Sequence, residues 1–436
     1  MSRQRGKREA ILIAASLVMA TTAMAMAVEP VPAEIARDLA RVADIADDPE
    51  SGRRAQALWG LALDAPVLLI EPSTRRAWRS DPASGQPLRV ALREGQLPAN
   101  TCIEVDGAPM VMLMLPLADD DDALARLLWH ERWHCEQDAL GLPAEEGDNA
   151  HLDGEAGRTW LRLELRALSQ AIASDKDAAA RGHAQAALAF RARRSAQGEL
   201  GTDVLAQEAR LERNEGLAEY SGRVASAADP APALLEALHT ADANDGFVRS
   251  MAYATGPAYG LLLDRWRDGW RAEVGGQSDL PSLLAQALPP SEVEAGTAGL
   301  DYGIVEVRAA ERERAVARAR RADAYRSRFV EGLTLRLPMR DPAVSFDPRT
   351  LFPLGDAGTV YGTLTVRSAW GELLATEGAL MAPDWSGVTV DAATLEGCGA
   401  TWTGQGWTLS LSSGWRLLRT DDGWRVYEGL QDACAD

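Results

Sequence analysis

From residue 32 to 47, Ile35, Leu39, Val42 and Ile45 recur at the spacing of one helical face. A β-like stretch follows. Residues 67–70 are a short apolar run, 71–74 form a turn, and 75–79 are a candidate partner strand. Residues 101–105 and 110–115 flank Asp106-Gly107, a hairpin-turn signal. From 119 to 137 the period becomes helical. Asp119 to Asp122 place negative charge at its start, where the helix dipole favours it, and Gly141-Leu142-Pro143 ends it. The spacing predicts further helices over 156–173, 178–196, 202–224, 233–240 and 258–272. Residues 288–303, rich in Pro, Gly, Ala and Ser, read as a linker. Residues 305–329 read as an Arg-rich helix with a solvated face over a narrow apolar stripe.

After about residue 331 the period changes to two. Runs at 333–337, 360–366, 407–411, 415–418 and 424–427 alternate and are separated by Gly and Asp turns. The pattern is α+β: a small N-terminal sheet and a mainly helical part over 28–300, a charged connecting helix over 301–330, and a β-sandwich-like domain over 331–436. The Trp residues of its strands (Trp402, Trp407, Trp415, Trp424) are expected to pack in its core and hairpins.

The N-terminus changes how the chain is counted. Arg3, Arg5, Lys7 and Arg8 precede an apolar run from residue 10 to about 20, which ends in Ala23-Met24-Ala25-Met26-Ala27. Basic, apolar, then A-x-A is the order of a signal peptide over 1–27, cleaved after Ala25 or Ala27. The expected location is therefore secreted or periplasmic, without stable membrane insertion after cleavage. The net charge of −19 sits on a chain whose leader is basic, so the remainder is more acidic still. That disfavours nucleic acid and anionic lipid as partners. An exported chain can oxidise its four Cys. Of three pairings, the order of elements favours Cys102 with Cys135 and Cys398 with Cys434.

Of only five His, two fall in His130-Glu131-Arg132-Trp133-His134, an H-E-x-x-H. On a helix, positions i and i+4 lie about 40° apart and one turn up, so both imidazoles can reach one Zn²⁺. Position 131 shares an apolar stripe with Leu124, Leu127, Leu128 and Cys135, so a carboxylate stands where a core residue is expected. A buried carboxylate is costly unless it is paired or near a metal. A catalytic zinc site takes three protein ligands and keeps one position for water. The best third ligand is Glu215 in Asn214-Glu215-Gly216-Leu217-Ala218-Glu219-Tyr220, with Glu219 and His151 as alternatives. Leu211, Glu215 and Ala218 share a face, and Gly216 lets another backbone come close.

The H-E-x-x-H helix followed by a separate N-E-G-x-A helix resembles the gluzincin metallopeptidases, which include the thermolysin-like enzymes and the alanyl-type aminopeptidases. Tyr253-Ala254-Thr255-Gly256 is similar to the Y-x-x-G setting in which the latter hold an oxyanion-binding Tyr. The resemblance covers these three motifs and implies a zincin-like fold, with His130, His134 and Glu215 on zinc. Two features depart from it: a longer gap from His134 to Glu215, and the charged Arg132.

The reaction expected is zinc-assisted hydrolysis of a peptide or protein substrate. Glu131 is the general base, and Tyr253, or failing it Tyr259 or His151, donates to the oxyanion. Strand 110–115, just before the catalytic helix, is a candidate for pairing with an extended substrate. The rival reading is a metal-binding scaffold without catalysis, whose β domain binds a partner or envelope polymer.

Overall fold

A computed structural model describes residues 31–93, 95–196 and 203–429. The expected signal peptide and Cys434 lie outside them. The chain divides into two compact units. One holds the residues up to Pro143 together with Ser221–Pro230; the other holds Ala144–Tyr220 and the chain from Ala231 on.

The first unit is a five-stranded sheet with helices. Helix α1 (Ala33–Ala46) and helix α2 (Pro49–Trp59) precede β1 (Val67–Glu71), β2 (Arg76–Ser80), β3 (Pro87–Val90), β4 (Thr101–Val105) and β5 (Ala108–Met114); α3 (Asp121–Glu136) follows. The strand order is β3-β2-β1-β5-β4, with only β1 and β5 parallel. Alternating residues divide the core. Leu69, Trp78, Val111 and Leu113 meet Ile35, Leu39 and Val42 of α1 and Leu124 and Leu128 of α3. Leu68, Ile70, Ala77, Met110 and Met112 pack in a second cluster. Each fully buried Leu contributes about 1.5–3 kcal/mol.

Helix α2 is an element the sequence reading did not include. Asp48 caps it, accepting from the Ser51 amide at 2.8 Å, and Pro49 opens its first turn. The structure also corrects the role expected of strand 110–115. It is hydrogen-bonded on both sides, to β1 and β4, so no ladder remains for a substrate. The sheet edge on that side is β4.

The second unit begins with α4 (Glu155–Ala173), α5 (Asp177–Ser195) and α6 (Val204–Leu211). A π-helical turn (Glu212–Gly216) then leads into α7 (Leu217–Ser226), whose residues from Ser221 belong to the first unit. Helices α8 (Ala231–Asp242), α9 (Ala252–Trp266) and α10 (Leu280–Ala287) follow. The expected linker holds a short helix, α11 (Ala295–Ala298), capped by Glu294. The long α12 (Ile304–Arg326) is not solvated on all of its polar positions. Glu311 is 2 % exposed and is gripped by Arg158, also buried.

Beyond α12, a six-stranded and a seven-stranded sheet share one apolar core. The run expected at 360–366 is two strands. Thr359–Tyr361 lies in the seven-stranded sheet and Leu364–Ser368 in the six-stranded one, so the chain changes sheets at Gly362. A methyl on Gly362 would stand 2.7 Å from Thr350. Trp407 is buried and donates to the Asp391 carbonyl at 2.7 Å. Trp402 and Trp424 pack on each other 6.0 Å apart, at the edge of the same core as Trp415. Among the described residues no helix is long and apolar enough to cross a membrane.

Candidate metal centre

Helix α3 carries the H-E-x-x-H. Its N-cap, Asp120, accepts from the Ala123 amide at 3.0 Å, and Asp121 and Asp122 occupy the first turn. Its far end is tied down covalently. Cys135, next to His134, forms a disulfide with Cys102 on the edge strand β4, as the order of elements suggested. Cys398 is disulfide-bonded too, but its expected partner, Cys434, is outside the described residues.

On this helix His130 and Glu131 are buried, at 4 % and 5 % exposure. The His130 and His134 Nε2 atoms face each other at 3.2 Å. His134 Nδ1 lies 2.9 Å from the Gln137 side-chain oxygen, which accepts from it in the tautomer that carries the proton on Nδ1. Gln137, 4 % exposed, is a buried partner of His134 that the sequence analysis did not include. Its signal is the position one turn beyond His134.

Arg132 does not disturb the motif. Its guanidinium stacks on Trp129, 4.7 Å from the ring centre, and donates to the Ala65 and Ala46 carbonyls. The charge is spent on joining α3 to the segments around it.

Gly222 of α7 lets that helix lie against α3. A methyl there would meet the Arg126 carbonyl oxygen at 2.5 Å and the His130 amide nitrogen at 3.2 Å. Trp59 adds a hydrogen bond to the Ser221 hydroxyl at 2.8 Å. Glu215 sits on the same continuous helical segment, in the π turn. Single π turns often mark functional sites, because the extra residue re-aims the side chains around it.

Ligand atoms of His130, His134 and Glu215 lie within 4.8 Å of one another, a group that could hold a metal ion. His151 and Glu219 are not in that group. His151 Nε2 instead meets the Glu208 carboxylate at 2.7 Å. Tyr253, ahead of the helix expected from residue 258, lies in the first turn of α9 and donates to Glu215 Oε2 at 2.7 Å. Asn214 donates to Oε1 at 3.0 Å. Tyr259 is fully buried and donates to Glu164, which rules it out as a donor to substrate.

The close approach expected at Gly216 is present. A methyl on it would stand 2.9 Å from the Gly256 Cα, and one on Gly256 would stand 2.3 Å from the Gly216 Cα. This crossing of two glycines sets the register of α9 on the π turn. It brings Tyr253 to Glu215 and, on the other side, Thr255 to Glu212 at 2.7 Å.

The helix that bears Glu215 is anchored by a buried charge cluster. Arg191 forks onto Glu212 through two bonds of 2.8 Å, and Arg194 onto Glu208 through two of 2.7 Å. Arg194 also reaches Glu164. Burial works to raise the Glu208 carboxyl, but Arg194 and Arg191 overcome it and hold the group well below the usual carboxylate range. At Glu212 burial wins over Arg191 and pushes the carboxyl up to about 7.

The two shifts act oppositely on stability. The contribution of Glu208 is present above its ordinary pKa of 4.5 and lost as pH falls below that. That of Glu212 is full below 4.5 and lost as pH rises through about 7. The urea midpoint of Glu212→Gln should therefore fall less than that of the wild type between pH 5 and pH 8. Parallel curves would show that Glu212 does not titrate there.

In comparisons with known proteins, no family model matches this chain, and no curated protein or solved structure matches it either.

Proposed function

We propose that the chain is an exported zinc metallopeptidase of gluzincin type with a zincin-like domain over 28–300, with His130, His134 and Glu215 as ligands and Glu131 as general base. The observation that carries this reading is the spacing of the two imidazoles. Nitrogens bound to one tetrahedral zinc at 2.0–2.1 Å stand about 3.3 Å apart, and here they face each other at 3.2 Å. Two imidazoles and one carboxylate are also the donor set of a catalytic rather than a structural zinc site. The ion supplies Lewis acidity, which lowers the pKa of a coordinated water to about 7 and polarises the scissile carbonyl.

The chain's own groups do the rest. The Gln137 oxygen holds the His134 tautomer that leaves Nε2 unprotonated. Glu131, one residue from His130, accepts the proton of the attacking water and returns it to the leaving nitrogen. An extended substrate can add to the antiparallel edge strand β4, which the disulfide joins to the residue after His134.

The test is metal content followed by cleavage of a peptide library with and without a chelator. Purified protein should carry about one zinc per chain and lose both zinc and cleavage on chelation. His130→Ala should retain little zinc. Zinc without cleavage of any peptide would favour the scaffold reading, and no zinc would end both.

A further inference from the structure

We infer that Tyr253 is a positioning residue that orients the Glu215 carboxylate; the inference rests on the metal reading above. The phenol has one proton, and in the structure it points at Glu215 Oε2 from 2.7 Å. Asn214 Nδ2 holds the other oxygen at 3.0 Å. Each carboxylate oxygen has two lone-pair directions. A donor on each oxygen therefore fixes the plane of the group. A Glu side chain otherwise carries a large rotamer entropy, which a ligand must give up on binding. Here that cost is met before an ion arrives.

The backbone places the phenol for this task. The Gly216–Gly256 crossing brings the two segments together with almost no side chain between them. Tyr253 stands one turn before Gly256, so its reach to Glu215 follows from the register of that crossing. Its ring is 40 % exposed, so core packing does not explain the residue. Donation to a substrate oxyanion would require the proton now held on Glu215. The two roles therefore compete for one hydrogen and can be separated.

Zinc affinity, measured by competition with a chromophoric chelator, decides between them. Tyr253→Phe should bind zinc about 10- to 100-fold more weakly, the usual loss when a partner of a metal ligand is removed. In a Glu215→Gln background the same change should cost nothing further, because the carboxylate it orients is gone. The urea midpoint of the metal-free Tyr253→Phe protein should match the wild type, so an affinity loss cannot be put down to a looser fold. Wild-type affinity with a lower kcat would overturn the inference and assign Tyr253 to substrate. An equal loss in both backgrounds would overturn it too, since Tyr253 would then act independently of Glu215. A wild-type chain that takes up no zinc would overturn the metal reading itself.

Discussion

Glu131→Gln is expected to bind zinc as the wild type does and to cleave peptides about 10²- to 10⁴-fold more slowly, the usual contribution of a positioned general base. The substitution keeps the length and shape of the side chain and removes only its ability to take a proton. That matters at a position 5 % exposed, where solvent has little access to substitute for the missing base. On the proposed reading its neighbours His130 and His134 are ligands rather than partners in proton transfer, and His134 also meets Gln137. Zinc per chain and kcat, measured on the same preparation, test this. Full turnover with bound zinc would assign the base elsewhere. Loss of zinc together with activity would mean that residue 131 holds the ion instead of acting beside it.

The helix to which this chemistry is assigned was the most legible part of the chain. H-E-x-x-H has a spacing that only a helix turns into a site, and the apolar stripe through Leu124 and Leu128 puts residue 131 on the inner side. Glu215 was legible for a related reason, because a Gly beside an inward acid signals close backbone approach. What surrounds it was not. A π turn inserts one residue into a helical register, and nothing in Glu-Arg-Asn-Glu-Gly distinguishes it from an ordinary turn. The helix expected from residue 258 begins earlier: α9 runs through Gly256, which the crossing requires, and carries Pro257 inside it. The wrong role for strand 110–115 has a similar origin. Alternation shows that a strand exists but says nothing about which of its two edges is already taken. The bonds of Arg132 to the Ala46 and Ala65 carbonyls depend on tertiary neighbours that no local pattern reveals.

Least legible of all was the buried charge cluster, because Arg191, Arg194, Glu208 and Glu212 look like the solvated faces of ordinary helices. Its removal carries the largest stability effect expected in this chain. Arg194→Ala should destabilise the second unit by about 3–5 kcal/mol, the cost of leaving buried charge without its partner. Arg194 is 2 % exposed, and Glu164 and Glu208 are fully buried. Without its fork the only guanidinium left to both carboxylates is that of Arg191, which reaches them at 3.4 and 3.3 Å and already serves Glu212; Tyr259 on Glu164 and His151 on Glu208 remain as single hydrogen-bond partners. Three buried acids would then face one guanidinium. Water cannot enter to solvate them without prising α4, α5 and α6 apart. Arg349→Ala provides the contrast. That guanidinium also pairs with a carboxylate, Asp347 at 2.8 Å, but it is 87 % exposed, so its loss should leave the urea midpoint where it was. Unfolding curves of the two variants beside the wild type make the comparison. If both midpoints stay in place, the three helices are held by their apolar contacts, and the ion pairs are incidental to the position of Glu215.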